Sequence, residues 1–239
     1  MTVAVAELTV RFGGVTSLDD VSVAFPAGTC GLIGPNGAGK TTFFNVLSGY
    51  VTPYSGSIVM DGTELTAMPD FRRARWGVRR TFQTEQAIES LTVYENVLTV
   101  QEHTAKASRS ENTAAVEEVL EFVGLAHVRD QLVRTLPAKE RRFIEMARAV
   151  VGNPKLVLLD EPGAGLPDEE TEELSAIIRS IPDRTDATVI LVDHDMALVQ
   201  ACCAWSAVLD FGRLLAAGPT QEVLHDPLVL EAYLGEGAT

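Results

Sequence analysis

Residues Gly34–Thr41 read GPNGAGKT and fill the spacing G-x-x-x-x-G-K-[ST] at every position. Gly37 and Gly39 allow the backbone to bend so that successive N–H groups converge on a chain of phosphates. Lys40 adds a point charge, Thr41 offers a hydroxyl to Mg²⁺, and a helix starting there presents its positive end. Asn36, Ala38 and Thr42 complete the candidate cradle for a nucleotide. A glycine turn before an unrelated helix is the plainer alternative. The apolar TCGLI ahead of the loop and the helix-forming TFFNVLS behind it favour strand, loop, helix.

A second group supplies carboxylates. LVLLDEP, Leu156–Pro162, runs an apolar strand into Asp160, which could hold Mg²⁺ through water, and Glu161, which could orient or deprotonate an attacking water. Two acids at a strand end can also simply cap a turn, but a phosphate loop in the same chain gives them work to do. His194 follows ILVD, another apolar strand, and strand ends are where ligands gather in such sheets.

These residues need elements to hold them. VAVAELTVRF and DVSVAF alternate like half-buried strands, and GSIVMDG reads as another short strand between glycines. From Thr92 to Val133 the pattern is helical, clearest in AAVEEVLEFVGL, with Gly124 a fitting C-cap. NPKLVLLDEP and ATVILVDHD are continuous apolar runs, as in strands buried on both faces. DEETEELSAIIRSI is a helix with an acidic first turn, and SAVLDFGRLLAAG reads as a terminal hairpin. Strand–helix alternation around a helical insert predicts an α/β fold.

The chain of 239 residues carries a net charge of −14, which argues against nucleic-acid partners. No apolar run reaches the roughly 18 residues of a membrane span, and the N-terminus lacks the pattern of a secretory signal. Any membrane role must then pass through a partner. Three cysteines, two of them adjacent, form neither a disulfide framework nor a metal spacing, and read as small core residues in a reducing compartment.

Together these motifs resemble the ATP-binding subunit of ABC transporters over nearly the whole chain. The resemblance implies a P-loop NTPase core of ABC type, with an N-terminal antiparallel β subdomain and an inserted helical subdomain. The whole of 1–239 would be one ATPase domain, with about 90–150 helical and about 1–89 and 151–239 the core. It implies ATP and Mg²⁺ as cofactors. Phe12 in VRFGG resembles the aromatic that stacks on adenine, and Gln83 in RTFQ the loop glutamine that contacts Mg²⁺ and links the nucleotide to the membrane partner. Lys40, Gln83, Glu161 and His194 would be catalytic; Thr41, Gln83 and Asp160 would serve the metal. A narrower resemblance, to branched-chain amino-acid uptake ATPases, rests on RFGG, GVRRTFQ, LTVYENVL, DEPGAGL and the closing GPTQEVLHDPLVLEAYLG. The partners it implies are a second ATPase subunit, permease subunits and, indirectly, a substrate-binding protein, on the inner face of the plasma membrane. The arginines at 72, 73, 75, 79 and 80 read either as a solvated basic face or as a partner contact.

One motif departs. Where the family has a signature close to L-S-G-G-Q, this chain has Leu136, Pro137, Ala138, Lys139 and Glu140. The serine hydroxyl is gone, Pro137 lacks an N–H, and Lys139 replaces a glycine, although a proline suits a helix start. Lys139 could return one cationic contact to a phosphate. Pro167 likewise stands where the family has Asp or Asn, with Asp168 one place late. Both altered elements face the partner's nucleotide in the family, so the expectation is a heterodimer with one competent site. The alternatives are a variant signature that works, a non-hydrolysing ATP-dependent scaffold, and a soluble ABC ATPase outside transport.

Overall fold

The computed structural model describes residues 2–234. The strands are β1 Val3–Phe12, β2 Val15–Phe25, β3 Thr29–Ile33, β4 Ser55–Met60, β5 Thr63–Glu64, β6 Val78–Arg80, β7 Leu156–Asp160, β8 Thr188–Val192, β9 Trp205–Asp210 and β10 Arg213–Pro219. The helices are α1 Lys40–Ser48, α2 Asp70–Trp76, α3 Val93–Thr104, α4 Arg109–Phe122, α5 Ala138–Val150, α6 Asp168–Thr185, α7 Met196–Cys202, α8 Thr220–Leu224 and α9 Pro227–Leu234.

Two sheets organise them. β2-β1-β4-β5 is antiparallel, and β10-β9-β3-β8-β7-β6 is parallel except for the antiparallel edge strand β10. The alternation of side chains divides β7 between two cores. Leu156 and Leu158 pack with Phe25, Phe43 and the first sheet, while Val157 and Leu159 pack with the helices behind. Ile190 and Val192 of β8 are divided from Val189 and Leu191 in the same way. This is why both sequences are apolar without a break. The α/β fold with an antiparallel β subdomain and a helical insert is the one the motifs implied.

The helical insert is defined by local chemistry. Thr92 with Glu95, and Ser108 with Glu111, form capping boxes that start α3 and α4. α4 ends where Gly124 takes φ +75° and the Leu125 N–H bonds back to the Leu120 carbonyl. α5 starts at Ala138 with Pro137 in the cap position, so the helix survives the altered signature. α6 continues beyond its apolar pattern, through Pro182, to a left-handed Asp186.

The arginine run is mostly not a solvated face. Arg73 is 1% exposed, and its guanidinium donates to the carbonyls of Val46 and Leu47 at the C-terminus of α1, and to those of Met68 and Thr66. It neutralises the negative end of the helix that carries the phosphate loop. Arg79 and Arg80 are also drawn inward; Arg72 and Arg75 remain exposed. All three cysteines are buried, and burial pushes the Cys30 thiol up to about 12. Among the described residues no helix is long and apolar enough to cross a membrane. Gly235, which ends the closing motif, lies outside the described residues.

Candidate functional site

β3 is buried along its length and ends at Gly34, where φ is +146°. A Cβ there would lie 2.0 Å from the Leu209 carbonyl oxygen, so only glycine allows the loop to leave the sheet beside β9. At the other end Gly39, φ +102°, is the cap of α1, and its Cβ would meet the Ser17 carbonyl at 2.9 Å. Between them the chain curls around Lys40, whose Nζ donates to the carbonyls of Gly34 (2.5 Å) and Pro35 (2.8 Å). Ser17, from β2, bonds the Thr42 hydroxyl at 2.8 Å and pins the first turn of α1.

Opposite this cradle three loops meet on one oxygen. Glu161 Oε1 accepts from Gln83 Nε2 at 2.8 Å and lies 3.0 Å from His194 Nε2. Glu161 itself has φ +49°, the left-handed region, and its N–H donates to the Val192 carbonyl at 2.7 Å. That geometry costs roughly 1–3 kcal/mol in a non-glycine residue and collects at functional sites. The cavity so enclosed, about 240 Å³, is lined by residues 36–42 of the loop with Ser17, Gln83, Glu161 and His194.

His194 is held by its neighbours. The buried Asp193 carboxylate accepts the N–H groups of Gly163 and Asp195, at 3.2 and 2.9 Å, and so joins the loops after β7 and β8. Burial raises the Asp193 carboxyl above its ordinary range, against the pull of those N–H groups. Asp195 caps α7 through the N–H groups of Ala197 and Leu198.

Asp160 stands behind this cavity and does not line it. Its Oδ2 is paired with Arg80 at 2.7 Å, and Arg80 also donates to Asn45 Oδ1 at 2.7 Å and lies between the rings of Phe44 and Phe82. Phe12, at the end of β1, is half exposed and also stands apart. The sequence does not point to Ser17 or Asp193, and it marks Arg80 only as part of a basic run, not as the partner of Asp160. Asp193 and Asp195 bracket His194 as DHD, a pattern that could have shown how the histidine is clamped.

The signature residues lie elsewhere. Leu136 is buried in the helical core, whereas Pro137 and Ala138 are exposed at the start of α5, and none of the five lines the cavity. Lys139 is not poised for a phosphate: its Nζ is 2.6 Å from Glu173 of α6 and 5.6 Å from the Phe143 ring centre. Its long chain folds onto its own subunit because α6 is acidic along that face. Further along, α5 grips the segment after Gln83. Arg141 pairs with Glu85 at 3.0 Å, Glu145 accepts the Gln86 N–H at 3.1 Å, and Arg148 donates to the Gln86 carbonyl.

Three separate strand ends thus bring a glutamine, a glutamate and a histidine to face the phosphate loop. The family model for "ABC transporter" matches residues 18–164, and that for "Branched-chain amino acid ATP-binding cassette transporter" matches residues 213–239. The chain belongs to the ABC transporter ATP-binding family. This ABC ATPase is 36% identical to the high-affinity branched-chain amino acid transport ATP-binding protein BraF of Pseudomonas aeruginosa, over 97% of each chain. It is 35% identical to LivG of Escherichia coli K12, of the same description, over 96% of each. The lipopolysaccharide export ATP-binding protein LptB of the same strain is 34% identical over 98% of each. Among solved structures, the ADP conformation of an ATP-binding cassette of an ABC transporter superposes with TM-score 0.86 at 27% identity, covering 98% of this chain and 99% of that one.

Proposed function

We propose that this ABC ATP-binding subunit energises uptake of branched-chain-type amino acids, as one half of an asymmetric pair of ATPase subunits. The observation that carries the asymmetry is the separation of the two sets of residues. Gln83, Glu161 and His194 gather on the chain's own phosphate loop, while Pro137 and Ala138 of the altered LPAKE stretch are exposed at the start of α5, away from that cavity. The C-terminal match at residues 213–239 favours amino-acid uptake over the export described for LptB.

In this reading the N–H groups of residues 36–42 bind the phosphates, and Phe12 stacks on the adenine. Lys40 exchanges the carbonyls of Gly34 and Pro35 for the terminal phosphates. Thr41, Gln83 and Asp160 would hold Mg²⁺, which supplies charge neutralisation on the phosphates when bound. A threonine hydroxyl, an amide oxygen and a carboxylate are the hard oxygen donors this cation takes, and Asp160, paired with Arg80 behind the cavity, would act through water. Glu161 Oε1 takes the proton of the attacking water. In the present arrangement Gln83 and His194 both meet that oxygen, and their release would free it for the water: His194 would face the terminal phosphate, and the Gln83 amide oxygen would be available to hold Mg²⁺.

The chain as a whole, 1–239, is read as one ATPase unit with its helical subdomain at about 90–150. It sits on the inner face of the membrane through permease subunits, which dock at the groove beside Gln83 where Tyr50, Phe71 and Phe82 are gathered. A substrate-binding protein delivers the solute to the permease, and nucleic acid takes no part. Mixing the chain with its ATPase partner and permease, with and without Glu161→Gln, tests the reading. ATP-driven amino-acid uptake should collapse in the variant. Turnover surviving above a small fraction would place the competent site elsewhere.

A further inference from the structure

A cavity of about 500 Å³ lies between the helical insert and the core, away from the nucleotide residues. Its walls come from α2 and β6, the α3–α4 connection, α4, and the ends of α5 and α6. Arg79 forms part of the wall. It is 7% exposed, and its Nη1 is taken up by the carbonyls of Ala74 and Val78. Its Nε has no partner, and among the described residues no carboxylate pairs with it. Burial lowers its pKa, to about 10, and the acceptors it has are neutral carbonyls rather than a carboxylate.

The surroundings repeat that imbalance. Arg75 and Lys106 also line the cavity, and neither has an ion pair among the described residues. The two acids present are engaged: Glu111 in the capping box of α4, Glu118 with Arg184 at 2.7 Å. In a chain of net charge −14 the lining of this hollow carries four cations, Arg75, Arg79, Lys106 and Arg184, against two carboxylates, Glu111 and Glu118. The remaining wall is mixed: Val119, Val150, Val151 and Ala115 belong to its apolar part, with Thr104, Asn153 and Thr185 beside them. Gln101, 4% exposed, adds an amide oxygen with no donor.

From the buried Arg79, whose Nε has no acceptor and which no carboxylate meets among the described residues, beside a patch of three valines, we infer that this cavity binds a small aliphatic carboxylate. The carboxylate meets Arg79, with Lys106 and Arg75 at the rim, and the hydrocarbon lies on the valines. An α-amino acid and its α-keto acid share this chemistry and differ in the group next to the carboxylate. Arg79 also lines the aromatic groove beside Gln83, so an occupant of the cavity is felt where a permease would dock. The meaning of such binding as product feedback rests on the amino-acid transport reading; the binding itself does not.

The test is calorimetric titration of the purified chain with leucine, its α-keto acid and inorganic phosphate. Saturable binding of either carboxylate is expected, with Kd between ~0.1 and ~10 mM. The better binder of the two shows whether the ammonium takes part. Lys106→Ala should weaken it about tenfold, the loss of one charge-assisted contact. Arg79→Met should abolish it; because that variant could misfold, Ala115→Phe, which fills the cavity and leaves every charge in place, should abolish it in a protein with a cooperative melt. Failure of both carboxylates at ~10 mM, binding of phosphate alone, or undiminished binding in Ala115→Phe would overturn the inference. A failed titration sinks the cavity alone, whereas a failed uptake assay sinks the transport reading.

Discussion

Arg80 and Asp160 meet at 2.7 Å with side chains 6% and 3% exposed, in the middle of the fold. The pair joins β6, which leads to Gln83, to β7, which leads to Glu161. The same guanidinium reaches Asn45 and Ser48 on α1. One side chain therefore ties the helix after the phosphate loop, the Asp160 carboxylate and the strand leading to Gln83 together. Breaking a buried pair from one side leaves an uncompensated charge, so Arg80→Met should cost about 3–5 kcal/mol in urea unfolding. Arg80→Lys keeps the charge and loses the fork to Asn45 and Ser48, and should cost less. A loss below ~1 kcal/mol in the methionine variant, the size of a surface pair, would show that the pair is not a structural tie.

Glu161→Gln keeps the size of the side chain and can still receive the Gln83 amide on its oxygen. It removes the proton acceptor. ATP turnover by the assembled transporter should fall about 10²- to 10⁴-fold, the usual worth of a general base. Binding of a fluorescent ATP analogue should stay within a few-fold of the parent. A parallel loss of affinity would mean that Glu161 builds the cradle and does not act on water.

Restoring the signature is the complementary experiment. Pro137→Ser with Lys139→Gly returns a hydroxyl and N–H donors to the start of α5. Each hydrogen bond to a charged group contributes about 1.5–3 kcal/mol, so ATP-driven pairing of the two subunits should tighten at least about tenfold. The lost Lys139–Glu173 pair is partly exposed and should cost under ~1 kcal/mol. Analytical ultracentrifugation with ATP reads the pairing. If the double variant pairs no better, the LPAKE stretch already serves as a working signature.

How much of this could be read from sequence follows from how local each determinant is. The phosphate loop was legible because its glycines, lysine and threonine lie within eight consecutive residues. β7 and β8 were legible because burial on both faces writes itself into every position. The insert's helices carry their own caps. Arg73 was misread because its burial depends on the carbonyl end of α1, 26 and 27 residues away, which no local pattern reports. Ser17 gives no local sign for the same reason, and the reading of Arg80 as a basic surface residue fails because its partner Asp160 lies 80 residues away. The meeting of Gln83, Glu161 and His194 is a product of strand order: β6, β7 and β8 are consecutive in the sheet, and the residues just past their ends become neighbours.

Asp193 carries a pH signature. Its carboxyl is raised in the folded protein, so the native state keeps the proton to higher pH than the unfolded chain does. The residue's contribution is most favourable in acid and is lost as pH climbs from the ordinary aspartate value, about 3.9, through the raised one. Gly163 and Asp195 donate to different oxygens of the carboxylate, and Asp193→Asn keeps one acceptor oxygen and no charge, much as the protonated acid does. Melting temperatures of parent and variant should therefore converge in acid, and the variant should be the more stable at neutral pH. A variant destabilised equally at every pH would mean that the N–H bonds require the carboxylate.

The β9–β10 hairpin turns on Phe211 and Gly212, between the paired residues Asp210 and Arg213. Both turn residues have positive φ, +42° and +77°. This is the two-residue turn that matches strand twist and that asparagine followed by glycine fills best. A phenylalanine there is held in the left-handed region at a cost of roughly 1–2 kcal/mol. It recovers little by packing, being 88% exposed. Phe211→Asn should thus raise stability by about 1 kcal/mol in denaturant unfolding. The turn also touches the nucleotide site, since the Gly212 N–H donates to the Ala38 carbonyl at 3.0 Å. ATP affinity should stay the same in the variant, because that bond belongs to the backbone. A gain in stability together with weaker ATP binding would show instead that the exposed ring, and not only the turn, serves the phosphate loop.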